Sequence, residues 1–562
     1  KRLAADWPDA RFAARKGKPG LVLADARPGR RGRPSGVAPL PADVPEAYWL
    51  RIEPDAVEIG ANRPDGVIRG FQTLVLLAQN HGGAVPCGVI RDWPAIRYRG
   101  IHVDLKGYQP TYERLEELIC LLARYKINLI LLELEDKFQF ASAPGVGVAT
   151  AYTPAQLRRL GSLAAALGVQ IVPKVQCLAH VDYLLKHPRY AALRENGHPY
   201  QFCMRNPRVR ALWRGMAQEV MDCLPGHRFF HVGADESLYM DECPRCRRHR
   251  PMDNYGHIVG HALDAVRGAG REPILWDDVL RNADGRMSPA DQAAAWRLAR
   301  RGILMYWSYG YAGAIANQFP MLPIYVRQRL RVWGASGFAG CGPRWFQNVP
   351  PLRTRLLNIA AWTKTAVEHG LEGVVATGWT RISSFDPPTE VPEACWLHML
   401  YAADSMWAGK SRTAAAFGPL AARSFYGVEL PEHVAFLMDL DPAQLPESPG
   451  RFQAVRQPER LELLNAVLDT FRHEREQASF YEHIRAYQGI VGHRIADYRK
   501  NFLEGQPRRL MDSAERQAAA MRRVLGLFYE QPTVDDFIRS RFERDAEEGR
   551  RQLQAVRASA LV

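Results

Sequence analysis

From residue 99 onward, short apolar runs alternate with amphipathic stretches of helical period. Runs at 100–103, 127–132, 169–175, 228–232, 273–276, 303–307, 331–334 and 373–377 predict eight strands. Between them, residues 111–125 place Leu115, Leu118, Ile119 and Leu122 on one helical face. Thr153-Pro154 supplies an N-cap with proline at the first helical position, and Gly168 ends that helix before the next run. Eight strands alternating with helices predict an α/β chain built around a (β/α)8 barrel. Such barrels place their chemistry at the carboxyl ends of the strands, so polar residues just after each run are the candidates.

The flanks read differently. Residues 1–44 are rich in Arg, Ala, Gly and Pro without sustained period, and predict an irregular basic segment. In 45–95, residues 48–52 and 56–59 alternate like paired strands across Glu53-Pro54-Asp55, and 66–79 has a helical face of Phe71, Leu74, Val75 and Ala78. This predicts a small α+β domain before a barrel over 96–405. No strand pattern persists in 406–562, and 461–553 is helical in texture, which predicts a helical C-terminal domain. The uncharged stretch 302–326 is long enough to span a bilayer. It contains Asn317, Gln318, Pro320 and Pro323, and so predicts a buried strand and an aromatic loop rather than a membrane segment.

Composition narrows the function. With 562 residues, 47% of them apolar and 24% charged, the chain is ordinary folded protein, neither fibrous nor largely disordered. Its net charge is +14, but the densest basic run, RPGRRGR at 27–33, is broken by Gly and Pro and predicts a flexible arm. No nucleic-acid-binding signature accompanies it. Nine scattered cysteines, an odd number, predict a reducing compartment, the cytoplasm by default. The chain begins at Lys1 rather than Met, which leaves a removed leader open. Cys243-Pro244-Arg245-Cys246 with His249 offers three metal ligands where a structural zinc needs four, so a reduced loop is expected and no metal. No phosphate-binding loop, HExxH or Ser-His-Asp pattern occurs, and no cofactor is expected.

The sharpest chemical signal is Phe229-Phe230-His231-Val232-Gly233-Ala234-Asp235-Glu236, a strand running into adjacent carboxylates. A turn after the strand brings both to one pocket, and two close carboxyls raise the pKa of at least one. From these two residues alone, a surface pair and a catalytic pair both stay open. Trp276, Trp307, Trp333 and Trp379 each sit at or just beyond a predicted strand end. Four aromatics at one barrel face predict a pocket whose walls stack on sugar rings.

The octet, with its His-x-Gly-x-Asp-Glu core, resembles the signature of glycoside hydrolase family 20, the β-N-acetylhexosaminidases. Gly70-Phe71-Gln72-Thr73-Leu74 is similar to that family's small leading domain, and Arg99-Gly100-Ile101-His102-Val103-Asp104 to its first barrel strand. The segment NLILLELEDKFQF at 128–140, Leu178-Ala179-His180, Lys186-His187, Leu275-Trp276-Asp277-Asp278 and Thr377-Gly378-Trp379 are most similar to the hexosaminidase D-like branch. The resemblance spans about residues 45–405.

It implies an exo-acting enzyme that removes terminal β-linked GlcNAc or GalNAc with retention. The substrate's own 2-acetamido group would attack the anomeric carbon to form an oxazolinium intermediate. Glu236 would be the acid and base, and Asp235 would orient the acetamide. Arg99 would bind sugar hydroxyls, His180 would adjoin the catalytic pair, and Tyr309, with Tyr306 as the alternative, would bind the acetamide oxygen. Asp104, Asp136 and His231 would support these groups from behind. The chain departs from the lysosomal-type pattern at Leu105-Lys106-Gly107, at Glu133, Glu135 and Asp136, and at Arg381. These departures bear on which sugar epimer is recognised. The expected partner is an N-acetylhexosamine-terminated glycan, with neither nucleic acid nor membrane, and the C-terminal helices would cover the pocket or form a homodimer contact. The rival readings are a catalytically silent sugar-binding barrel and a barrel glycosidase with a direct carboxylate nucleophile.

Overall fold

A computed structural model describes residues 21–25, 38–81, 85–281, 287–310, 319–341, 352–428, 457–467, 469–470, 473, 476–477 and 505–559. The basic run 27–33, the part of the aromatic loop at 311–318 and the helical texture of 478–504 lie outside them. The first sheet has the order β1-β3-β2-β4. Its strands are β1 (Leu21–Asp25), β2 (Tyr48–Ile52), β3 (Val57–Ala61) and β4 (Gly88–Asp92). β1 pairs in parallel with β3, so the segment expected to be irregular contributes a strand. The run LVLAD is too short to stand out from its Gly- and Pro-rich surroundings, and only pairing with a strand about 35 residues away gives it a partner. The helix Pro64–Asn80 covers this sheet, packing Leu74 against Tyr48, Leu50 and Ile59.

All eight predicted barrel strands form. They are β5 (Tyr98–Asp104), β6 (Leu129–Glu133), β7 (Gln170–Lys174), then, after a hairpin of β8 (Arg194–Glu195) and β9 (His198–Phe202), β10 (Phe229–His231), β11 (Glu272–Trp276), β12 (Ile303–Trp307), β13 (Val332–Ala339) and β14 (Gly373–Gly378). They close into one parallel barrel in which β14 pairs with β5. Because strand side chains alternate, Leu129, Leu131, Val172, Phe229, Ile274, Ile303, Met305, Trp333 and Val375 pack together inside the barrel. Ile130, Leu132, Leu304 and Tyr306 belong to the surrounding helix-packed core. The same parity brings Asp104, Glu133, Lys174, His231, Trp276 and Trp307 to the inner layer at the carboxyl end.

β13 runs five residues past the predicted 331–334, across Gly334-Ala335-Ser336-Gly337 and on to Ala339. Small residues there admit large neighbours, since a Cβ on Gly334 would lie 2.5 Å from the Trp362 ring. Trp333 is therefore at the amino end of its strand. It stacks on Tyr98 at 4.9 Å and meets Phe229 edge-on at 5.0 Å, in the barrel floor rather than the pocket.

Arg99 is also at the floor. Second in β5 and facing outward, it is fully buried; its guanidinium donates to Glu46 Oε1 (2.7 Å) and to the carbonyls of Ile96 (2.8 Å) and Lys126 (3.0 Å). The expected role in binding sugar hydroxyls is thus corrected: Arg99 fastens the small domain to the barrel. Glu46 also accepts from Arg69 Nε at 2.6 Å. Burial alone would raise the Glu46 carboxyl, but Arg99 and Arg69 outweigh it and bring its pKa down to about 2.

The helices Gly505–Leu525, Gln531–Ile538 and Arg544–Ser559 form a C-terminal layer. It meets the barrel mouth where Thr111 N donates to Phe528 O (3.0 Å) and Glu530 N to Gln109 O (3.0 Å). Among the described residues, no helix is long and apolar enough to cross a membrane.

Glu46→Gln should lower stability by about 3 kcal/mol at neutral pH, since it leaves two buried arginines without their anion. A depressed carboxyl contributes above its unfolded pKa, and the contribution is lost as pH falls through the folded value. Denaturant melts should therefore show wild type and variant converging between about pH 5 and pH 2.

Candidate active site

The turn after β10 gathers the carboxylates. Gly233, Ala234 and Glu236 all have φ in the left-handed region, at 73°, 74° and 46°. For Ala234 and Glu236 that geometry costs on the order of 1 kcal/mol each. Gly233 is required by space as well, because a Cβ there would lie 1.7 Å from Gln176 Oε1. The folded-back turn puts Asp235 and Glu236 on one imidazole, with His180 Nε2 3.5 Å from Asp235 Oδ2 and 3.1 Å from Glu236 Oε2. His180 itself has φ 54°, following β7.

The two carboxylates differ in environment. Asp235 is buried and accepts from Gln176 Nε2 at 2.9 Å, whereas the Glu236 side chain is 49% exposed. Burial would push the Asp235 carboxyl up, but His180, Lys174 and the Gln176 amide outweigh it and hold it below the usual carboxylate range. Burial would lower the His180 imidazole, and the two carboxylates reverse that, raising it above the ordinary histidine value. A buried carboxylate, an imidazole whose proton is held more tightly than usual and an accessible carboxyl thus line one pocket.

Trp307, Tyr309 and Trp379 wall that cavity, and Lys106 and Arg381 add cations. Trp307 stacks on Tyr309 with ring centroids 5.4 Å apart, and Tyr309 Oη accepts from Trp379 Nε1 at 2.8 Å. Tyr306, of opposite parity, packs outward against Tyr325 and Trp362, so Tyr309 is the tyrosine in the pocket. Trp276 is fully buried beneath the cavity, 5.6 Å from Trp379, and is not part of its wall. His231 leans on Trp276 at 4.5 Å, and its Nδ1 accepts from Gly233 N (2.9 Å), which puts the ring proton on Nε2.

Asp104 accepts from Lys106 N (2.9 Å) and Thr380 N (2.8 Å), joining the ends of β5 and β14. Asp136 does not line the cavity; Lys137 and Lys186 take up its carboxylate. Arg381 is held at the rim by Asp536 from the C-terminal layer.

Several supporting groups are not among the predicted site residues. Glu133, fully buried, is shared by His102 Nε2 (3.0 Å), Lys106 Nζ (3.3 Å) and Lys174 Nζ (2.9 Å). Burial would raise its carboxyl, but the two lysines and His102 pull it well below the usual range. Tyr200, on β9, bonds His180 Nε2 at 2.9 Å. Asp278 accepts from Glu236 N at 2.7 Å. Burial, with the charges of Asp235 and Asp277, raises the Asp278 pKa to about 7. Asp278 was within reach of sequence reasoning, as a carboxylate just past a strand end. Tyr200 carried no such signal.

Comparison with known proteins bears on the family and the fold. Residues 96–410 match "Glycosyl hydrolase family 20, catalytic domain" and residues 13–93 match "Glycosyl hydrolase family 20, domain 2". The chain is 30% identical over 305 residues to a human protein named hexosaminidase D, covering 51% of this chain and 61% of that one, so it spans less than two thirds of that relative. It is 28% identical over 426 residues to a Cellulomonas fimi protein named beta-N-acetylhexosaminidase, covering 64% and 82%. Among solved structures, a Bacteroides fragilis beta-N-acetylhexosaminidase superposes with a TM-score of 0.54 at 18% identity, covering 72% of this chain and 84% of that one.

Asp235→Asn should move the His180 titration, followed by NMR of the labelled imidazole, to lower pH, since the substitution removes a charge that favours the imidazolium. An unchanged midpoint would mean that Glu236 alone sets the state of the ring.

Proposed function

As a member of glycosyl hydrolase family 20 the chain is a glycoside hydrolase, and we propose that it removes terminal β-linked N-acetylhexosamine by a substrate-assisted, retaining mechanism. The observation that carries this reading is the pair Asp235 and Glu236 on one imidazole, one buried and held anionic, the other open to the cavity. A substrate-assisted reaction needs that asymmetry. Asp235 accepts from the acetamide N–H, aims the acetamide oxygen at the anomeric carbon and stabilises the positive charge that develops there. Glu236 gives its proton to the departing glycosidic oxygen and then takes one from the incoming water. His180 faces both carboxylates and balances their charge through the cycle.

Trp307 and Trp379 pack against the sugar and its acetyl methyl, and the Tyr309 hydroxyl binds the acetamide oxygen. With Arg99 engaged at the floor, Lys106 and Arg381 are the cations in position to bind the ring hydroxyls. The C-terminal layer takes part through Asp536, which holds Arg381. The nine cysteines, none in a disulfide, support a reducing compartment such as the cytoplasm.

Wild type should release chromophore from aryl β-N-acetylglucosaminide or β-N-acetylgalactosaminide, and the ratio of the two reports the epimer preference. Glu236→Gln should lower kcat/KM by about 10²–10⁴ on a poor leaving group, and Asp235→Asn by about 10²–10³. A thiazoline mimic of the oxazolinium should inhibit. Full activity in the Asp235 variant, or indifference to the thiazoline, would point to a direct nucleophile. No turnover of either glycoside by folded wild type, with retained sugar binding, would point to a silent barrel.

Asp278→Asn should shift the basic limb of the kcat/KM profile to lower pH. Ionised Asp278 opposes loss of a proton from the pocket above about pH 7, and the amide cannot.

A further inference from the structure

We propose that Glu195, Cys203, Cys243 and Cys246 form a structural zinc site that staples the segment following Glu236 to the β8–β9 hairpin. The ligand atoms of these four residues lie within 4.8 Å of one another, and all four residues are buried. Cys203 Sγ is 3.5 Å from Cys243 Sγ and 3.8 Å from Cys246 Sγ, and Cys246 Sγ is 3.1 Å from Glu195 Oε2. A tetrahedral zinc with Zn–S bonds of about 2.3 Å separates its sulfurs by about 3.8 Å, with a somewhat shorter edge to a carboxylate oxygen. Three edges of the cluster are already near those lengths, and the others lie within 4.8 Å. A disulfide would need a sulfur separation of about 2 Å.

Local hydrogen bonds hold the set in a receiving geometry. Cys243 N donates to Glu195 Oε1 at 2.7 Å, which fixes the carboxylate and turns Oε2 toward the thiols. Cys246 N donates to Cys243 Sγ at 3.4 Å, inside the CxxC turn. Glu195 has no exposed surface, and among the described residues no lysine, arginine or histidine pairs with it. A buried carboxylate facing three thiols lacks a counter-charge, and a soft dication supplies it.

The sequence spacing had offered only the CxxC and His249. His249 is exposed and outside the cluster, and the fold brings Glu195 and Cys203 in its place. The consequence reaches the pocket through the same hairpin. Gln201 Oε1 accepts from Leu238 N (3.0 Å) and Tyr239 N (3.2 Å), and Tyr200 bonds His180. The metal would thus hold together the two segments that carry Tyr200 and Glu236. Its existence does not depend on the proposed reaction.

The test is elemental analysis of the full chain purified without chelator from zinc-replete medium. One zinc per chain is expected. Replacement by cobalt should give the intense visible bands of a tetrahedral site together with a thiolate charge-transfer band. Cys246→Ser should lose the metal, whereas Cys87→Ser, at an exposed cysteine outside the cluster, should keep it. Chelation of wild type should lower its melting temperature. Metal-free wild type with all its thiols titratable, a Cys203–Cys243 disulfide found by mass spectrometry, or full zinc in folded Cys246→Ser would each overturn the proposal. Wild-type metal content and the cobalt spectrum decide the matter even where the variant fails to fold.

Discussion

Glu133 has no access to water, yet a histidine from β5, a lysine just past its end and a lysine from β7 converge on it. A carboxylate buried alone would be strongly destabilising, and so would either lysine, so each is tolerated only because the others are present. This shared charge sets the floor of the cavity. Lys174 lies between the Trp276 and Trp379 rings, at 5.3 and 4.9 Å from their centroids, and Lys106 lies 5.0 Å from Trp379. The lysines therefore position an aromatic wall as well as neutralising an anion. The positive charge of Lys174 also reaches Asp235 and helps keep it ionised.

Around this floor, the working groups come from loops that other parts of the chain restrain. The turn at 233–236 is strained, and such a turn persists only when its surroundings over-determine it. Gln176 grips Asp235 from one side, Asp278 takes the Glu236 amide from another, and Tyr200 meets His180 from the hairpin. The flanking regions act at opposite ends of the barrel. Glu46 ties the small domain to the amino end through Arg99, while Asp536 secures Arg381 at the mouth. The barrel is braced where it is inert and shaped where it is open.

Much of this was legible along the chain. The eight strands, the first helices and their caps, and the position of Asp235 and Glu236 after a short strand all follow from local pattern. So does the parity that sends Trp307 inward. The errors share a cause. Trp333 was placed at the mouth because the glycines that follow it look like the end of a strand, whereas they continue β13 past large neighbours. Arg99 was placed in the pocket although its partner, Glu46, is over 50 residues away and outside the barrel. Tyr200 and Glu195 sit on a hairpin between barrel strands, where no period announces their contacts.

What the sequence alone determined is therefore what local rules govern: alternation within strands, amphipathic helices, the closed count of eight, and a carboxylate pair at a strand end. Tertiary structure decided which side chains share a space. Asp235 and Glu236 point to one histidine because a left-handed turn folds them there, and three cysteines and a glutamate meet because a hairpin crosses a loop about 40 residues away. Charge pairing and ligand geometry act across a few ångströms of space at any separation along the chain, so one-dimensional pattern supplies the candidates and packing chooses among them.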